Sequence, residues 1–186
     1  MNLVSVTCWK KITVALCIFG LLSPLVWAQK IEQAKVEAAI ALRLLAFVEW
    51  PESHEGEDNR EIVIGVYEEG SLLVEFENII ERFSSNVTYR AVLIDEYSSQ
   101  EDLSAIDAIY FGGEERVSIT RSLRRVEGFP ILLMGNFEGF LEMGGMVNFV
   151  KKQKKITFDI DLENSRKEGI AYRAKLLRLA NRVVGK

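Results

Sequence analysis

The stretch from Glu61 to Met134 constrains the fold more than any other part of the chain. Four apolar runs of strand length, 61–67, 87–94, 106–111 and 130–134, are separated by segments of a different rhythm. Residues 71–83 and 114–126 carry helical spacing, whereas 95–105 is too short and polar to read as a helix. The 114–126 segment opens with Glu114 and Glu115 and closes with Arg121, Arg124 and Arg125, as the helix dipole favours. Strands that are apolar along their whole length must be covered on both faces. Alternation with helices supplies that cover, so the pattern predicts a mostly parallel central sheet with helices on both faces.

The flanks extend this plan. Residues 30–49 read as a helix, with Ile31, Ala34, Ala38, Leu42 and Leu45 at helical spacing and Pro51 ending it. The acidic stretch from Glu52 to Arg60 reads as a solvated loop. Towards the C-terminus, 146–150 and 156–160 flank a lysine-rich turn and predict an antiparallel hairpin. Ser165 and Glu168 have capping-box spacing, which predicts a last helix running to Val184. The expected whole is one α/β domain with a C-terminal β-hairpin and helix.

Residues 1–28 stand apart. Lys10 and Lys11 precede an uncharged, largely apolar run over 12–26, and Val26-Trp27-Ala28 offers small residues where a signal peptidase reads. The run is shorter than the roughly 20 residues a membrane-spanning helix needs. The expectation is a signal peptide cleaved after Ala28, export to the periplasm, and a domain formed by residues 29–186. That domain carries a formal charge of 21 − 27 = −6. It contains no cysteine, because Cys8 and Cys17 both precede the cut. Thiol catalysis, disulfides and cysteine-held metals are thereby excluded for it, and its acidity argues against nucleic acid, whose binding needs cationic surface.

Little catalytic chemistry suggests itself. His54 is the only histidine and sits among Glu52, Glu55, Glu57 and Asp58, a group that reads as a plain loop and not as a metal site. The turns at Gly70 and at Gly112-Gly113 lack a phosphate-binding fingerprint, and Glu68-Glu69 and Glu114-Glu115 would repel a phosphate there. No catalytic, cofactor-binding or metal-binding residue is expected. The remaining signals are apolar. Trp50 stands at a helix end beside a polar loop, and Phe137, Phe140, Leu141 and Met143 lie among glycines between Asn136 and Met146. Such groups either fold back onto the core or meet a partner. Trp50, Pro51, Phe140 and Met143 are the candidate partner-binding anchors.

Several short motifs follow one another in a telling order: Lys35-Val36-Glu37-Ala38-Ala39, Phe47-Val48-Glu49-Trp50-Pro51, Pro130-Ile131-Leu132, Gly139-Phe140, Gly144-Gly145-Met146, Phe158-Asp159-Ile160 and Leu176-Leu177-Arg178-Leu179-Ala180. In order, spacing and leader the chain resembles the YfiR-like family of bacterial periplasmic proteins over nearly all of residues 33–184. The resemblance implies regulation without catalysis. The protein that names the family represses a membrane-bound diguanylate cyclase through the enzyme's periplasmic domain. An OmpA-like outer-membrane lipoprotein relieves the repression, and cyclic-di-GMP then rises and favours biofilm formation. It also implies a tendency to form a homodimer. The alternative reading is a periplasmic small-molecule binding module. One departure stands out: Ile106-Asp107 occupies the place where relatives often show Cys-His, so redox control by cysteines does not carry over.

Overall fold

The computed structural model describes residues 32–51, 61–83, 86–112, 116–153 and 155–185. The leader, the 52–60 loop with His54, and Glu114-Glu115 lie outside the described residues. In chain order the elements are α1 (32–45), β1 (Val48–Glu49), β2 (Glu61–Tyr67), α2 (Gly70–Ile80), β3 (Thr88–Ile94), α3 (Gln100–Ser104), β4 (Ala108–Phe111) and α4 (Arg116–Arg125). They continue with β5 (Leu132–Gly135), β6 (Val147–Lys152), β7 (Lys155–Asp161), α5 (Leu162–Lys167), β8 (Ala171–Tyr172), α6 (Ala174–Leu179) and β9 (Arg182–Val184).

The main sheet has seven strands in the order β3-β2-β4-β5-β6-β7-β9. All neighbours are parallel except β6 and β7, which form the expected hairpin. Alternation along β4 assigns the two faces. On one, Tyr110 meets Phe76 of α2 edge-on at 5.7 Å and donates a 2.9 Å hydrogen bond to Glu37 of α1. On the other, Phe111 packs against Tyr67 at 5.1 Å and Phe140 at 5.8 Å. Burial of Ile119 and Leu123 seats α4 on the molecule's core. The sheet is therefore mostly parallel and sandwiched, as its apolar strands require.

Three expectations change. The first helix stops at residue 45, and Val48–Glu49 pair antiparallel with Ala171–Tyr172 as a separate two-stranded ribbon. Residues 95–105 do contain a short helix, because Ser99 and Asp102 form a reciprocal capping box that offsets the low propensity of the polar segment. The continuous helix expected over 165–184 is broken into α5, β8, α6 and β9. Asp161, and not Ser165, caps α5, accepting from the amides of Glu163 and Asn164 at 2.9 and 3.0 Å. Gly169, at φ +75°, turns the chain out of helix. After α6 the backbone becomes extended at Ala180, and the Asn181 side chain donates to the buried Asp159, fixing β9 beside β7.

Candidate partner-binding surface

The carboxyl ends of the parallel strands form one rim. Glu68-Glu69 follow β2, Asp95-Glu96 follow β3, Gly112 follows β4 and Asn136 follows β5. This is the edge where open α/β sheets usually bind ligands. Here the Glu69 carboxylate lies so close over Gly112 that a Cβ at that position would collide with it. The turn that would cradle a phosphate already holds an anion. Beneath the rim, the buried Glu37 carboxylate accepts from Tyr110, Asn136 and Gln33, each at 2.9 Å. Burial first, then Glu37, holds the Tyr110 phenol well above its ordinary range. The three donors satisfy a carboxylate removed from water and fasten α1 across the ends of β4 and β5. The sequence signal for this clasp was an acid, Glu37, beside the apolar stripe of α1. The signal was missed because its partners lie 73 and 99 residues away.

Of the four candidate anchors, Pro51 and Met143 lie near the same turn. Pro51 lies against Gly169, where an added Cβ would come within 3.5 Å of its ring. Trp50, half-buried, packs on the core beside it. The other side of the same turn is a cleft of about 310 Å³ between α4 and α5, lined among others by Leu123, Leu133, Met143, Asn164, Lys167 and Glu168. The Lys167–Gly169 turn thus has Pro51 against its glycine and Met143 in the cleft that Lys167 and Glu168 line. Within the cleft, burial and the nearby Glu127 push the Glu168 carboxyl above its ordinary range, against the opposing pull of the Gly128 amide and Lys167.

Phe140 is a correction. It is fully buried, with its ring between the backbones of Gly135 and Gly145 and flanked by Phe111 and by Phe137 at 5.1 Å. A Cβ on either glycine would strike the ring, so the glycines around Phe140 make room for a core residue and do not display it. Asn164 locks the fold-back by donating to the carbonyls of Leu141 and Gly145, both at 2.9 Å. Leu141 is buried as well, and Met143, with Gly144 and Met146, lines the open cleft.

Asp107, in the position where relatives often carry histidine, is buried and structural. Its carboxylate accepts the Val63 amide at 2.8 Å, and its backbone continues the bonding between β2 and β5. Among the described residues no three His, Cys, Asp or Glu side chains come together as a metal site, and no helix is long and apolar enough to cross a membrane.

Comparison with solved structures gives relatives in fold. A conserved domain protein from Vibrio cholerae superposes with a TM-score of 0.52 at 12% identity, covering 81% of this chain and 60% of its own. The ABC domain from Streptococcus pneumonia in complex with L-Trp gives 0.50 at 14% identity, covering 66% of this chain and 55% of its own. At such identities the likeness concerns fold alone, and this chain spans less than two thirds of either relative. No curated protein sequence matches it. A family model described as YfiR/HmsC-like matches residues 34–181, from the first turns of α1 to the residue that fastens β9, and the chain belongs to that family.

Proposed function

We propose that this protein is a non-catalytic periplasmic regulator that represses an inner-membrane diguanylate cyclase by binding its periplasmic domain. The observation that carries the reading is family membership over residues 34–181, since the family is a regulatory one. Pro51 against Gly169 and Met143 in the cleft beside Lys167 and Glu168 support it, because they leave apolar groups near one turn for a partner to contact. An OmpA-like lipoprotein that sequesters the regulator would compete for that surface. The deciding experiment is deletion of the gene while a diguanylate cyclase encoded beside it is expressed. Cyclic-di-GMP should rise, and an unchanged level would end the reading.

The cleft favours a second reading, a periplasmic small-molecule binding module. Its floor of Leu123, Leu133 and Met143 beneath Lys167, Glu168 and Asn164 has the apolar base and few polar groups of a ligand site. A thermal-shift screen separates the two, since a ligand that binds only the folded state raises its melting temperature.

A further inference from the structure

The outer face of α4 lies apart from the Pro51 and Met143 region in its chemistry. Ile119, Ser122 and Leu123 point inward, leaving Arg116, Val117, Arg121 and Arg124 exposed on the other side. They border an open groove of about 550 Å³ along the helix, which Arg125 closes at one end.

Two features distinguish this face from an ordinary solvated helix. The first is that three of its four guanidiniums, those of Arg116, Arg121 and Arg125, are held. Arg116 donates to the Glu138 carbonyl at 3.0 Å and lies over the Phe137 ring at 5.9 Å. Arg125 donates to the carbonyls of Glu96 and Ser98, and Arg121 pairs with the Glu96 carboxylate. Among the described residues, Arg121 meets a carboxylate, whereas Arg116 and Arg125 are fixed in place by neutral carbonyls. The second is what lies between them. Val117 and Tyr97 are the two most exposed large hydrophobic residues described, at 72% and 84%. Val117 is one turn from Arg121, and Tyr97 adjoins Glu96, the acid that pairs with Arg121 and chiefly raises the Tyr97 phenol.

Fixed arginines interleaved with an exposed tyrosine and an aliphatic side chain are the composition of protein-interface anchors. On a chain of net charge −4 a patch of this sign selects its occupant by charge. A planar guanidinium already oriented loses little freedom on taking a carboxylate in two-point contact, whereas lipid headgroups ask only for mobile charge. We infer that the Arg116–Arg125 face with Tyr97 is a docking surface for an acidic protein segment that also carries apolar side chains. This second surface is independent of the regulator reading for its chemistry, and draws on it only for the partner's role.

The test is an NMR titration of the full exported chain with a short glutamate-rich peptide carrying leucines, run beside phosphatidylglycerol vesicles. Saturable shifts centred on Tyr97, Val117 and Arg124, weakened by salt, are expected. The Val117→Asp/Arg124→Glu double variant should bind the peptide about tenfold more weakly or worse, at a little-changed melting temperature, because both side chains are exposed and an acid in the first turn of α4 offsets one in its last turn. Absent shifts, shifts centred elsewhere, an unaffected double variant, or a response to vesicles alone would overturn the inference. No cyclase takes part, so failure here and failure of the regulator reading are told apart.

Discussion

The ring of Phe140 fills the space between two glycine backbones and two other aromatic rings, and nothing near it can collapse inward cheaply. Phe140→Ala should therefore cost about 3–5 kcal/mol of stability, read as a lower midpoint in chemical denaturation, before any effect on a partner. Trp50 is the contrasting case. It is half-buried against the core, so Trp50→Ala should weaken binding to the proposed cyclase partner by roughly 2 kcal/mol or more while moving the midpoint much less than Phe140→Ala. A midpoint loss as large as that of Phe140→Ala would return Trp50 to the core. These two residues looked alike in sequence, each a large apolar group beside glycine or polar neighbours. What separated them was whether a second segment closed over the side chain.

Among elements, β9 depends on one buried acid. Asp159 of β7 accepts from Asn181 at 2.5 Å and pairs with Arg182 at 3.1 Å, and these contacts hold the last strand to the sheet edge. Asp159→Ala should leave the exposed Asn181 and Arg182 donors to water and cost about 1 kcal/mol. Amide exchange should rise first in residues 181–184, and protection unchanged there would refute the role assigned to Asp159. The helix expected over 165–184 failed for a related reason. Ile170, Ala174, Leu177, Ala180 and Val184 have helical spacing, but a positive φ at Gly169 and pairing partners in β1 and β7 offered this segment better contacts than one long helix could. The capping box in α3 shows the opposite case, where a purely local pattern was present at Ser99 and Asp102 and passed unread in a polar segment.

For the molecule as a whole, its buried phenols set a pH limit. Tyr110, Tyr172 and Tyr67 are each raised above their ordinary value of 10.0, chiefly by burial. A phenol whose folded value is raised keeps its proton longer when folded than when unfolded. Its contribution is then complete below pH 10 and is lost as pH climbs through the folded value. Stability should accordingly fall above about pH 10, and Tyr110→Phe should flatten that fall in a denaturation series against pH, since the phenol that must ionise beside Glu37 is gone. A fall of the same steepness in the variant would remove Tyr110 as a source. Redox conditions should do the reverse and change nothing. With cleavage after Ala28 no cysteine remains, so melting temperature and oligomeric state should agree in reducing and oxidising buffer. A difference would point to oxidation of Met143, the one of the three methionines in 29–186 that is not buried, or to a different processing site.

The sequence by itself determined the class of the fold, the four parallel strands, the β6–β7 hairpin and the family. These follow from periods two and 3.6, from turn residues, and from short motifs, all of which are properties of neighbours along the chain. Its anionic rim was legible for the same reason, because acids placed just after parallel strands must gather at one edge. Tertiary structure decided the rest: that Phe140 is core, that Pro51 packs on Gly169, that Glu37 clasps Tyr110 and Asn136, and that the last 20 or so residues cross back and forth between strand and helix. Each of these depends on which distant segment arrives at a given side chain. A single sequence records the chemistry of both partners there and not the encounter between them.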